Sequence, residues 1–117
     1  MDLEKALTAH AEWKIKLRGA IQKKERLDEA TIGSDRCCPL GQWLHGEAKQ
    51  TYARLPSHGA CMARHAEFHR AAAAIAHSIN GGKYAEAEAM LGNGSVYSSA
   101  SNAVAMAIMA LRKEAKL

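Results

Sequence analysis

The 117-residue chain has little from which to build strands or stacking surfaces: one phenylalanine, two tryptophans and three tyrosines put its aromatic content at 5%. Alanine is plentiful instead, and its high helix propensity and small size favour closely packed helices over sheets. Only two prolines occur, Pro39 and Pro56, each where a helix is expected to begin. No apolar run approaches the roughly 20 residues that a membrane span needs, and Ala71 to Ala76 is far too short. The opening Met1-Asp2-Leu3-Glu4-Lys5 is charged and helix-like, which is not the pattern of a signal peptide. Three cysteines, an odd number without a secretory leader, point to a reducing cytoplasm and not to a disulfide framework.

The formal charge of +4 raises the question of nucleic acid or an anionic membrane surface. The basic residues are scattered, however, and mixed with acids in Lys23-Lys24-Glu25-Arg26 and Arg112-Lys113-Glu114. Such mixed-sign stretches mark a solvated helix face. The aromatics that would stack on bases are missing, so no nucleic-acid partner is expected. An apolar content of 48% is ordinary for a globular core, and the length fits a single domain over residues 1–117.

No strand pattern appears. Leu3, Leu7, His10, Trp13, Leu17 and Ile21 recur on one face of a helix expected from about residue 2 to residue 27. Residues 28–36, with Gly33-Ser34-Asp35, read as a loop. A short helix follows from about Pro39 to Ala48, with Thr51 to Leu55 as a possible extension. Pro56-Ser57 opens a long helix, with Ser57 as its candidate N-cap. That helix carries Met62, His65, Phe68, Ala72, Ile75 and Ile79 inward, and Asn80-Gly81-Gly82 ends it. A last helical region from Lys83 carries Tyr84, Ala87, Leu91, Val104, Ile108 and Leu111. Its Gly92-Asn93-Gly94 costs about 2 kcal/mol of helix propensity, which allows a kink or short break there, while the periodicity on both sides favours one continuous helix. The fold class is therefore all-α: an antiparallel bundle of three long helices plus a short one.

The candidate chemistry starts at His65-Ala66-Glu67-Phe68-His69. Histidines four apart lie on the same side of a helix, about 6 Å apart along its axis, and both imidazoles can reach one metal ion. His10 is inward on the first helix and can face that pair, although a lone buried histidine is more often satisfied by a carbonyl. A fourth ligand is available in the intervening segment at Cys38, just before Pro39-Leu40-Gly41-Gln42-Trp43-Leu44. Unpaired N–H groups at a helix start favour a thiolate there. Three imidazoles and one thiolate make a closed tetrahedral Zn²⁺ site between helices.

The run Cys38-Pro39-Leu40-Gly41-Gln42-Trp43-Leu44 resembles the C-x-L-G-x-W-L signature of the CZB, or chemoreceptor zinc-binding, domains. His10-Ala11-Glu12-Trp13-Lys14 with Leu17 resembles the family's H-x-x-W-K-x-x-L, and His65-x-x-Phe68-His69 its H-x-x-F/L-H. The three motifs stand in the family's order. The resemblance implies a zinc site of three histidines and one cysteine, with His10, Cys38, His65 and His69 at the matching positions. It also implies a cytoplasmic regulatory domain of bacterial chemoreceptors or diguanylate cyclases, often a homodimer. Nothing in these 117 residues resembles a receptor signalling hairpin or a cyclase, so the output partner stays open.

The motif's spacing selects Cys38 over Cys37, which reads as a small filler or partly exposed thiol. Cys61 lies one turn before His65 and could stand in for His69, since three ligands on successive turns would span about 12 Å. His45, His58 and His77 read as surface or helix-end residues. Trp13, Leu40, Trp43 and Phe68 are expected to pack around the site, and Gly41 to permit close approach. Asp35, Glu67 or a backbone carbonyl could accept a ligand histidine's second N–H. A closed site implies a zinc sensor in chemotaxis or cyclic-di-GMP signalling. Redox sensing through Cys38 and a structural dimerisation zinc are the alternatives. Catalysis is not expected, because the run lacks the glutamate that directly follows the first histidine in H-E-x-x-H.

Overall fold

The computed structural model describes residues 1–117 and contains seven helices and no strand: α1 (Leu3–Lys23), α2 (Glu29–Gly33), α3 (Pro39–His45), α4 (Glu47–Tyr52), α5 (Pro56–Asn80), α6 (Tyr84–Met90) and α7 (Val96–Glu114). α1, α5 and α7 are the three long helices of the bundle, and α5 against α7 is its largest interface. Two contacts set their directions. Glu4 near the start of α1 pairs with Arg112 near the end of α7 at 3.0 Å. Ser57 at the start of α5 donates from its hydroxyl to Glu114 at 2.6 Å. α7 is thus antiparallel to both partners, and α1 and α5 run the same way.

The helix ends follow local chemistry. Asp2 caps α1 by accepting from the N–H groups of Glu4 and Lys5. α1 stops at Lys23, four residues before the expected end, because Lys24 takes a left-handed conformation (φ 54°) and closes the last turn. The expected loop over residues 28–36 contains the short α2, capped by Asp28, whose carboxylate accepts from both the Thr31 N–H and hydroxyl. Gly46 divides the expected short helix into α3 and α4. Leu55, not Ser57, precedes Pro56 at the N-cap of α5, so Ser57 lies inside the helix and bonds Glu114 instead.

The last helical region is broken, not continuous. Gly94 takes φ +78°, a conformation open to glycine at little cost, and Ser95 then caps a new helix by accepting from the Ser98 N–H at 3.1 Å. A side-chain cap and a left-handed glycine together outweigh the continuity of the apolar stripe.

The core is built from Leu3, Leu17, Phe68, Ala72, Ile75, Ile79, Leu91, Val104, Ile108 and Leu111. Leu7, Trp13, Ile21 and Met62 are only half-buried, while Ala6, Ala20 and Cys61 face inward. The returning connection between α1 and α5 is pinned at its start. The Leu27 N–H donates to the Asn80 side-chain oxygen, and the Asn80 amide donates back to the Leu27 carbonyl, both at 2.8 Å.

The Ser57 hydroxyl and backbone N–H hold the Glu114 carboxyl below its ordinary value of 4.5. A depressed folded-state pKa adds stability that is fully present above the ordinary value and disappears as pH falls through the folded one. Thermal melts of wild type and Glu114→Ala should therefore differ at neutral pH and converge in acid below about pH 4.5. A gap that stays constant with pH would rule this linkage out.

Candidate metal centre

Three separate segments deliver four side chains to one point. His10 lies on the buried face of α1, His65 and His69 stand one turn apart on α5, and Cys38 is the N-cap of α3. One potential ligand atom from each lies within 4.8 Å of the others. His65 Nε2 is 3.0 Å from His69 Nε2, and Cys38 Sγ is 3.2 Å and 3.6 Å from those two nitrogens. Around a tetrahedral zinc ion, bonds of about 2.0–2.1 Å to nitrogen and about 2.3 Å to sulfur place neighbouring ligand atoms about 3.4–3.6 Å apart. The three separations among His65, His69 and Cys38 are within a few tenths of an ångström of that range, and His10 completes the group within 4.8 Å.

Hydrogen bonds fix two of the three rings. His10 donates from Nδ1 to the Ala6 carbonyl at 2.7 Å, and His69 donates from Nδ1 to the Ile32 carbonyl of α2 at 2.8 Å. Carbonyls only accept, so both rings carry their proton on Nδ1 and turn an Nε2 lone pair inward. His10 Nε2 is buried without a partner, as is His65 Nδ1. Neither Asp35 nor Glu67 supports a ligand ring: Asp35 bonds His45 at 2.9 Å and Glu67 bonds Arg64. Backbone carbonyls fill that role for His10 and His69.

Burial keeps this group neutral. It lowers the pKa of His10 and His69 and takes His65 down to about 3, where the neighbouring histidines add to the shift. Burial also raises the Cys38 thiol, although the N–H groups of Gly41, Leu40 and Cys38 itself work the other way. The expected helix-start preference for a thiolate is therefore outweighed in the bare chain. A cation among the four atoms reverses that balance, since a coordinated thiol loses its proton.

The surroundings sort as follows. Leu40, Gly41 and Phe68 are buried, and the Phe68 ring lies 5.2 Å from that of His10 and 5.6 Å from that of His69. Trp13 is half-buried beside His10 and Cys38 in a surface groove. The Trp43 ring is 6.1 Å from Tyr52, joining α3 to α4. Gly41 packs under the connection: a Cβ there would run into the Asp35 carbonyl oxygen and come within 3.1 Å of His65 Cε1. Cys37 is exposed, and Cys61 is buried outside the group of four, its thiol pushed up to about 12 by burial.

His77 is exposed, and His45 sits half-buried on Asp35. His58, expected at the surface or a helix end, stands in the first turn of α5 but is buried and bonds the Leu44 carbonyl at 2.9 Å. The signal was there: His58, Cys61, His65, Phe68 and Ala72 form one inward stripe at helical spacing. The carbonyl partners had no sequence signal, because any residue supplies one.

A family model described as the chemoreceptor zinc-binding domain (CZB) matches residues 10–76, which include all four clustered side chains and more than half of the chain. The chain belongs to the CZB family. It is a zinc-binding sensory domain, with His10, Cys38, His65 and His69 grouped for the metal. Searches of curated proteins and of solved structures returned no match.

Gly41→Ala tests the packing beneath the centre. The added methyl should push the Asp35 segment away from α3 and weaken zinc binding about 10–100-fold, the range for losing a ligand's supporting contacts. Competition with a chromophoric chelator measures it; unchanged affinity would show the close approach to be dispensable.

Proposed function

We propose that His10, Cys38, His65 and His69 hold one Zn²⁺ per chain, and that its binding and loss are the signal this domain passes to a partner. The observation that carries this reading is the convergence of acceptor atoms from α1, the Cys38 turn and α5. A metal held there ties α1, the Cys38 turn and α5 directly to one another. Three neutral imidazoles and one thiolate leave a single positive charge on the centre, and protons compete for the histidines. The metal is then more exchangeable than in an all-cysteine site. Residues 1–117 act as one domain in this reading, because α7 supplies Val104, Ile108 and Leu111 to the same core as α5.

CZB domains act in chemoreceptor signalling. The output partner proposed here is a chemoreceptor or a diguanylate cyclase module, in cis or in trans, in the cytoplasm. No helix of the chain is long and apolar enough to cross a membrane. A homodimer fits the outer side of α7, where Val96, Met106 and Met109 are 80%, 71% and 58% exposed. A second reading, redox sensing by oxidation of Cys38 with loss of zinc, is favoured by one observation: Cys38 is half-buried while the three histidines are buried.

Elemental analysis of purified protein should find one zinc per chain, lost in Cys38→Ser and in His69→Ala. Hydrogen exchange should then show the zinc-free chain folded along α5 and α7 but less protected in α1 and residues 24–55. Unchanged protection would remove the sensing role, and global unfolding would make the zinc purely structural. Zinc release only on selective oxidation of Cys38 would favour the redox reading.

A further inference from the structure

The four clustered side chains are not equally shielded. A groove of about 330 Å³ runs between the first half of α1 and the Cys38 turn, lined by Asp2, Lys5, Ala6, Ala9, Trp13 and Pro39 among others. His10 and Cys38 lie in its wall. None of the other four main cavities is lined by any of the four side chains. His65 and His69 are sealed behind α5 and α2, where the His69 ring bonds the Ile32 carbonyl. The centre therefore has a closed side, made by α5, and an open side, made by the Cys38–His10 edge.

We infer that this groove is the exchange mouth of the centre, through which the metal and small soluble metal-binding or thiol-reactive molecules reach Cys38 and His10. This rests on the zinc assignment above and adds a route to it. The volume is that of a small-molecule site, enough for a low-molecular-weight chelator or thiol but not for a protein chain. Ala6 and Ala9 are the reason it is open: two small side chains one turn apart on α1 leave the space that a larger residue would fill. Ala9 is exposed and outside the packed core, so its size sets access without setting stability. Trp13 and Pro39 wall the groove on either side with rigid apolar surface, which holds its shape.

Ala9→Phe closes the mouth, and Ala11→Phe, on the same helix but outside the groove, is its control; both are made in a Cys37→Ser background. Two rates are read. The first is zinc transfer from the loaded protein to EDTA under pseudo-first-order conditions. The second is alkylation of Cys38 by iodoacetamide in the zinc-free protein, followed by mass spectrometry. Ala9→Phe should slow both at least tenfold, with zinc affinity and helicity unchanged, and Ala11→Phe should leave both as they are. If Ala9→Phe leaves both rates at the control value, access runs through local opening elsewhere and the inference is overturned. Slowing by Ala11→Phe as well would also overturn it. Absence of zinc from the unmodified chain would instead sink the zinc assignment, while the alkylation rates would still report on the groove.

Discussion

Three imidazole nitrogens and a sulfur gathered within 4.8 Å of one another repel unless something positive lies among them. Protons are a poor answer here. His10 and His69 have given theirs to the carbonyls of Ala6 and Ile32, which leaves at most one from His65 and one from Cys38 to share. Adding more would charge rings that burial keeps neutral, His65 most of all. A single divalent cation satisfies all four atoms at once, and it also removes the penalty on the Cys38 thiolate. The helices, turns and close packing around this point make sense as the means of holding that repulsive set together.

The parallel course of α1 and α5 is the main device. Two helices running the same way need a long return, and that return is what carries Cys38 to the centre. Its path is fixed at each stage by specific contacts. Asn80 clasps Leu27, Asp28 caps α2, Ile32 offers its carbonyl to His69, and the Asp35 carbonyl lies against Gly41. A side chain at residue 41 would displace the segment that positions Cys38. The glycine therefore belongs to the centre as much as the ligands do, without touching a metal.

The long helices and the group of four were legible in the sequence, because helical periodicity and an i,i+4 histidine pair are local patterns. The supporting contacts were not. Ile32 and Ala6 act through backbone carbonyls, which no residue type advertises. The helix-end place of His58 was legible but its burial was not, because it was judged by position and not by the stripe it shares with Cys61 and His65. The break before α7 stayed open against continuity for a related reason. Gly94 and the Ser95 cap decide the matter over a few residues, while the apolar stripe reads the same across a break as through a continuous helix. The helix-start N–H groups favour the Cys38 thiolate as expected, but the burial that opposes them appears only in three dimensions.

If zinc exchange is the signal, these features divide the domain into a part that stays and a part that responds. α5 packs along α7 through Phe68, Ile75, Ile79, Val104 and Ile108, an apolar interface that needs no metal. It holds His65 and His69 in place whether or not anything binds between them. α2 also packs extensively on α5, whereas α1 and α3 have a much smaller share of that packing, and the centre joins both of them to α5. Cys38 and His10, the two ligands from the responsive part, are also the two that face the groove. Access and movement therefore meet at one edge. In the proposed reading, a molecule that competes for the metal there would act on the ligands whose release frees α1, and local exchange would become a change of helix packing.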